Sequence, residues 1–304
     1  MRVLVAGGSG LIGRALVTSL ASDAHQVVVL SRRPEEVQGL PGGVRAAGWD
    51  GRTLGAWVEE VASADGVVQL SGESIFGRWT AAKKRRLMSS RVDSSRLLAD
   101  AVASVRRRPA VFVQGSAVGY YGDTGDQEVT EEAPQGGDFL AELAGRWEAA
   151  SAPVEELGVR RPRLRTGIVL AREGGALGPM RLAHLAFAGG PLGNGAQWTP
   201  WIHLADEVGA IRFVLEHPQA TGPFNLAAPE PARNRDLSRA VGRALGRPTW
   251  LPVPRWPLRL AAGELADAVF AGQRAVPARL LALGYRFRFP KLESALEDLL
   301  GDGR

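Results

Sequence analysis

The seven residues Gly7-Gly8-Ser9-Gly10-Leu11-Ile12-Gly13 have the types and spacing to bind an anion through backbone rather than side chains. They fit G-x-G-x-x-G at Gly8, Gly10 and Gly13, and G-x-x-G-x-x-G at Gly7, Gly10 and Gly13. Glycine is needed there because the turn is tight, the backbone must approach a pyrophosphate closely, and the following helix must pack against the strand. The helix start adds free N–H groups and a positive dipole end. All seven residues are therefore expected at a dinucleotide site. The next apolar run ends in Leu30-Ser31-Arg32-Arg33. An NAD site would place an acid here for the ribose 2′-hydroxyl, whereas a 2′-phosphate wants a hydroxyl and a guanidinium. Ser31 and Arg32 point to NADP as cofactor, with Arg33 a second phosphate partner or a group stacked on adenine. The bland alternative is a solvated strand end in an arginine-rich chain.

These residues need strands and helices to hold them, and the chain supplies both in alternation. Short β-branched runs at 3–6, 26–30, 44–48, 66–70, 110–114 and 163–170 predict strands. Helical spacing over 11–20 and 80–105 falls between them, the latter through Met88, Val92, Ala99 and Val102. Such alternation predicts an α/β fold, a doubly wound parallel sheet of Rossmann type with helices on both faces. Glycine and proline become frequent after Leu170. This places a dinucleotide-binding domain at 1–170, with the chain expected to return to it around 204–228, and a smaller C-terminal substrate or cap region at 171–304. Asn234 reads as a helix cap, the proline-rich run 250–257 as a stiff connector, and the segments after it as amphipathic helices.

Composition narrows the function classes. The 304 residues are 45% hydrophobic and 23% charged, enough for a large core. There is no cysteine, so disulfides and thiolate metal sites are excluded, and the four histidines His25, His184, His203 and His217 show no metal-ligand spacing. No metal is expected, and His203 reads as structural. The net charge of +5 invites a nucleic-acid reading, but arginine is scattered, and Lys83-Lys84-Arg85-Arg86 and Arg106-Arg107-Arg108 look like the solvated ends of one helix. No nucleic-acid motif accompanies them, so no nucleic-acid partner is expected. Without a signal-like or membrane-length apolar stretch, the expectation is a cytoplasmic protein with no membrane association.

The motifs VLVAGGSGLIG, VVQLSGESI, SAVGYYGDTGD, DFLAELAGRWEAA, LRTGIVL, WIHLADEV and GPFNLAAPEP occur in an order that resembles the extended short-chain dehydrogenases. More narrowly, the chain resembles atypical epimerase-family members whose tail, here 250–304, forms a C-terminal domain of unknown function. The resemblance implies an NADP(H)-binding Rossmann domain and a C-terminal region closing over a cleft. It puts Leu70, Ser71 and Gly72 beside the nicotinamide-side ribose and phosphate. Glu73, Tyr120, Arg165, Trp198 and Trp201 become candidate substrate-pocket residues, the tryptophans as stacking faces or as interdomain core. Arg91 stands where many relatives have an asparagine.

Short-chain dehydrogenases use a Ser or Thr, a Tyr, and a Lys four residues later, so that the phenol transfers a proton as hydride moves. Here the only tyrosines are Tyr120, Tyr121 and Tyr285, and the only lysines Lys83, Lys84 and Lys291, so no Tyr-x-x-x-Lys pair exists. The place for it reads Phe139 and Leu143, neither of which exchanges a proton. Tyr121 and Ser116 remain as candidate catalytic groups, although the usual hydroxyl position aligns with Ala117. Lys83, Lys84, Arg165 and Glu142 are further substitutes. Two readings follow. One is an NADP-dependent oxidoreductase or epimerase acting on a small molecule such as a nucleotide sugar. The other is a sensor or scaffold that binds the cofactor without turnover. The tail could pack on its own domain or make a homodimer.

Overall fold

The computed structural model describes residues 1–37 and 39–301. Its first half alternates strands β1 (Arg2–Ala6), β2 (Gln26–Ser31), β3 (Val44–Gly48), β4 (Gly66–Gln69) and β5 (Val111–Ala117) with helices α1 (Leu11–Ser22), α2 (Val58–Ser63), α3 (Ala81–Ser104) and α4 (Phe139–Ala150). The chain then adds Pro162–Thr166 beside β5 and Gly222–Leu226 beside that. The result is a seven-stranded, all-parallel Rossmann-type sheet in the order Gly222–Leu226, Pro162–Thr166, β5, β4, β1, β2, β3. The direction of winding reverses between β1 and β4, where open α/β sheets take their ligands.

Both faces of the sheet are covered. Leu16, Val17 and Leu20 of α1 and Ile211 and Val214 of helix Leu204–Glu216 pack with Val3, Val5 and Val29 on one side. Val61 of α2 and Leu98 and Val102 of α3 pack with Leu4, Val28 and Val67 on the other. Burial on both faces is why the central strands β1, β2 and β4 read as β-branched runs.

Three local expectations are corrected. The run 163–170 is two strands, not one. Ile168–Leu170 leaves the main sheet and pairs with Trp201–His203, and the break falls at Gly167, where a Cβ would lie 2.5 Å from the Pro200 carbonyl oxygen. Asn234 does not cap its helix; it is the first helical residue, and its Oδ1 accepts the Leu192 amide at 2.7 Å. The stiff connector ends at Pro254, because Arg255–Ala262 is helical and holds Pro257 in its first turn, where proline is tolerated.

The tail returns to the sheet domain. Leu292, Leu296 and Leu299 of helix Leu292–Leu300 share a cluster with Trp201, Leu237 and Val241. The Asp206 carboxylate accepts the amides of Arg288 and Phe289 at 2.7 and 2.8 Å. Residues 302–304 of the expected tail lie outside the described residues. Among the described residues no helix is long and apolar enough to cross a membrane, and no group of three or more acidic or histidine side chains is placed to hold a metal.

Candidate functional site

A cleft of about 1200 Å³ runs along the carboxyl ends of β1, β2 and β4. Its floor is the glycine turn. Gly7 has φ +85°, and a Cβ there would lie 2.7 Å from the Leu70 carbonyl carbon and the Ser71 nitrogen. A Cβ on Gly13 would lie 2.1 Å from the Gly7 oxygen, so this glycine lets α1 seat on the turn. Gly10 is the helix cap residue and brings no side-chain cap; a Cβ on it would meet only the Gly7 oxygen, at 3.4 Å. The amides that open α1 are thus accessible to an anion. Gly7, Ser9 and Gly10 line the cleft. Gly8 fits under the Val29 methyls, and Ile12 packs into the core, so these motif residues serve packing. Leu11 is half-buried and reaches toward Gly174 and Gly175.

Ser31, Arg32 and Arg33 line the β2 end of the cleft. The Ser31 hydroxyl accepts the Arg33 amide at 3.1 Å, and the Arg33 guanidinium pairs with Glu36 at 3.1 Å. Arg14, Arg32 and Arg52 also line the cleft and have no carboxylate partner among the described residues. Sequence reasoning missed Arg14 and Arg52. The spacing of Arg14, one position past Gly13 on the first turns of α1, was the available signal.

Leu70, Ser71, Gly72 and Glu73 line the β4 end. The Gln69 side chain accepts from the Ser71 amide at 3.0 Å and the Ser71 hydroxyl at 2.8 Å, which fixes this strand end. Glu73 receives the Lys83 ammonium at 2.7 Å and Arg86 at 3.2 Å; the Lys83 hydrogen bond foremost holds its carboxyl below the usual range. Lys83 is therefore engaged rather than part of a solvated face, and Lys84 pairs with Glu264 at 2.7 Å. Arg91 lies under Gly72, donating to the Glu73 carbonyl at 3.0 Å, over the Trp147 ring. Burial lowers it to about 10, so it stays charged at neutral pH and relays no proton.

Helix α4 is capped by Asp138, whose Oδ1 accepts the Ala141 amide at 2.8 Å. Phe139 meets Trp79 edge-on at 5.4 Å, and Leu143 is buried with Trp79 and Leu87. The place where a tyrosine-lysine pair was sought is an apolar plug. Behind it, between β5 and Pro162–Thr166, lies a closed polar cluster. Ser116 donates to Glu148 at 2.7 Å, and Arg165 donates to Glu148 at 2.9 Å and to the Tyr121 oxygen at 3.0 Å. Tyr121 donates to Asn225 Oδ1 at 2.6 Å. The Arg165 guanidinium also lies 3.5 Å from the Tyr120 ring centroid. Burial pushes the Tyr121 phenol up to about 12. Burial also opposes the Arg165 charge, but hydrogen bonds and attraction from Glu148 outweigh it and raise its pKa. Ser116, Tyr121 and Arg165 are brought together, yet none of them lines the cleft.

Of the two roles weighed for Trp201, the structure shows the core one: it is fully buried, its indole donating to the Glu230 carbonyl. Trp198 is half-buried, donates to Asp126 at 2.9 Å and is flanked by Arg233 and Arg274. His203 caps helix Leu204–Glu216 through Nδ1, stacks on Phe289 at 3.9 Å, and is lowered in pKa chiefly by burial. Glu148, Asn225 and Glu131, whose carboxylate accepts the Asn225 amide at 3.0 Å and whose carbonyl accepts from Arg165 at 3.1 Å, escaped the sequence reading. The legible signal was Arg163 and Arg165 inside a buried parallel strand, which demands buried counter-charge.

The chain is 35% identical over 310 residues to the epimerase family protein YfhF of Bacillus subtilis, covering 99% of each. Models of the NAD dependent epimerase/dehydratase family and of a domain of unknown function match residues 3–143 and 253–299. The chain belongs to this epimerase family. Among solved structures, the human epimerase family protein SDR39U1 with NADPH superposes with a TM-score of 0.87, at 34% identity over 99% of both chains. A nucleoside-diphosphate sugar epimerase from Corynebacterium glutamicum gives 0.80, at 32% identity over 99% of this chain and 58% of that one. This epimerase-family chain has the parallel sheet, the glycine turn and the cleft, and its helix α4 carries Phe139 and Leu143 in an apolar cluster.

Proposed function

We propose that the protein binds NADP(H) along the cleft and acts as an oxidoreductase or epimerase on a small polar substrate of the nucleotide-sugar class, with a proton step that bypasses any tyrosine-lysine pair. One observation carries the reading: a backbone cradle at Gly7 and Gly10 shares its cleft with a β2 end where Ser31 and an unpaired Arg32 replace the acid that would select NAD. The α1 amides with Ser9 and Arg14 would hold the pyrophosphate, Arg32 the 2′-phosphate, and Leu70 to Gly72 the nicotinamide side. The nicotinamide, when bound, supplies the hydride donor or acceptor. Glu73, held anionic by Lys83 and Arg86, faces the substrate as a hydrogen-bond acceptor or base. Tyr121 and Ser116 hold Arg165 and Glu148 in place rather than react. Titration with NADPH and NADH tests the cofactor half: tighter NADPH binding is expected, and equal affinities would sink it. Loss of reduced-nicotinamide absorbance with a panel of nucleotide sugars tests net reduction, and interconversion of sugar epimers in the presence of the cofactor tests epimerisation, which leaves that absorbance unchanged.

The plug of Phe139 and Leu143 against Trp79 and Leu87 favours a second reading, a sensor that binds NADP(H) without turnover. Tight NADPH binding with no hydride transfer to any sugar of the panel would select it.

A further inference from the structure

The loop after β3 leaves the sheet beside the end of β2. Ser31 and Gly48 are register partners, and the Trp49 amide donates to the Ser31 carbonyl at 3.0 Å. Residues 50 to 53 therefore leave the sheet beside the step that begins Arg32-Arg33. Asp50 fixes their turn. Its Oδ1 accepts the amides of Arg52 and Thr53 at 2.8 and 2.9 Å, and its Oδ2 accepts the Thr53 hydroxyl at 2.7 Å. Gly51, at φ +69°, supplies the left-handed step. Arg52 then lines the same cleft as Arg32 and Arg33. Arg33 is drawn to Glu36, and the Asp50 carboxylate is spent on its own loop, so Arg32 and Arg52 are the cations without a carboxylate partner there among the described residues.

We propose that Arg52, presented by the Asp50 loop, is a specificity-determining residue that shares the 2′-phosphate of NADP(H) with Arg32. A phosphate monoester carries nearly two negative charges on three outward oxygens, so guanidiniums from two neighbouring strand ends satisfy it better than one. NAD(H) has no such group and makes no demand on Arg52. Asp50 acts through Arg52, as a positioning residue. The inference rests on the NADP(H) reading above and adds to it a residue outside the β2 end.

Calorimetric titration of the full chain with NADPH, NADH and adenosine 2′,5′-bisphosphate tests it. Arg52→Ala is expected to weaken NADPH and the bisphosphate about tenfold, with NADH affinity and the thermal midpoint unchanged. Arg52→Lys should fall between, since an ammonium keeps the charge without the fork. Asp50→Ala should reproduce the selective loss, and adding it to Arg52→Ala should cost nothing more. An unchanged NADPH-to-NADH ratio in Arg52→Ala overturns the proposal. If Arg32→Ala collapses that ratio while Arg52→Ala leaves it, the cofactor reading stands and this inference alone fails. If the parent protein shows no NADPH preference, both fail.

Discussion

Arginine is used in opposite ways along the cleft and behind β5. Arg14, Arg32 and Arg52 face the cleft with no carboxylate partner among the described residues. Arg161, Arg163 and Arg165 lie 3.2, 3.6 and 2.9 Å from Glu155 or Glu148, and of these pairs Arg165 with Glu148 is buried on both sides. Charges that are paired inside hold the chain together, and under the proposed function the charges left over at the rim take the phosphates of a ligand. Substitutions in the two regions should therefore separate: the cluster should report in stability and the cleft in ligand affinity.

The sharpest break is Glu148→Ala. It leaves Arg165, whose side chain is 4% exposed, without its counter-charge, and a loss of about 3–5 kcal/mol in urea unfolding is expected. A loss under about 1 kcal/mol, the size of an exposed pair, would mean the cluster is not closed. Next comes Glu207, fully buried, with Thr166 donating to one oxygen at 2.8 Å and the other oxygen unpaired among the described residues. Burial raises it from 4.5 to about 8. The native state then holds a proton that the unfolded chain releases, so this group's contribution falls as pH rises from 4.5 to about 8 and levels off above. Glu207→Gln should flatten that decline, a change of a few kcal/mol at most across the window. A pH–stability profile identical to the parent would contradict it.

Tyr121→Phe should cost about 1–3 kcal/mol, because Asn225 Oδ1 loses its buried donor, while NADPH affinity stays put. Weaker cofactor binding with intact stability would move Tyr121 from the cluster to the cleft. Smallest in stability is Arg32→Ala. Its melting point should match the parent, and its NADPH dissociation constant should rise about tenfold.

Strands β1, β2, β4 and β5 were legible because a parallel strand covered on both faces leaves an apolar, β-branched run, and the glycine turn because close backbone approach at Gly7 and Gly13 leaves no room for a Cβ. The polar cluster was not, since its bonds join residues far apart in the chain, such as Tyr121 and Asn225 across 104 positions. The roles of the neighbouring tryptophans stay open in the sequence for a related reason. Pro200 separates Trp198–Thr199 from Trp201–His203, so no shared alternation says which indole turns inward. Arg52 was missed because its place depends on Asp50 fixing the turn of its loop, which spacing alone does not reveal.

The Asp206 carboxylate waits for amides that arrive 82 and 83 residues later. The last sheet strand, Gly222–Leu226, is already made by then. The first turn of the Asp206 helix therefore reaches its final bonding only through residues 288 and 289. The start of that helix thus owes its polar partners to a segment far along the chain, and removing the Asp206 carboxylate would loosen both places at once.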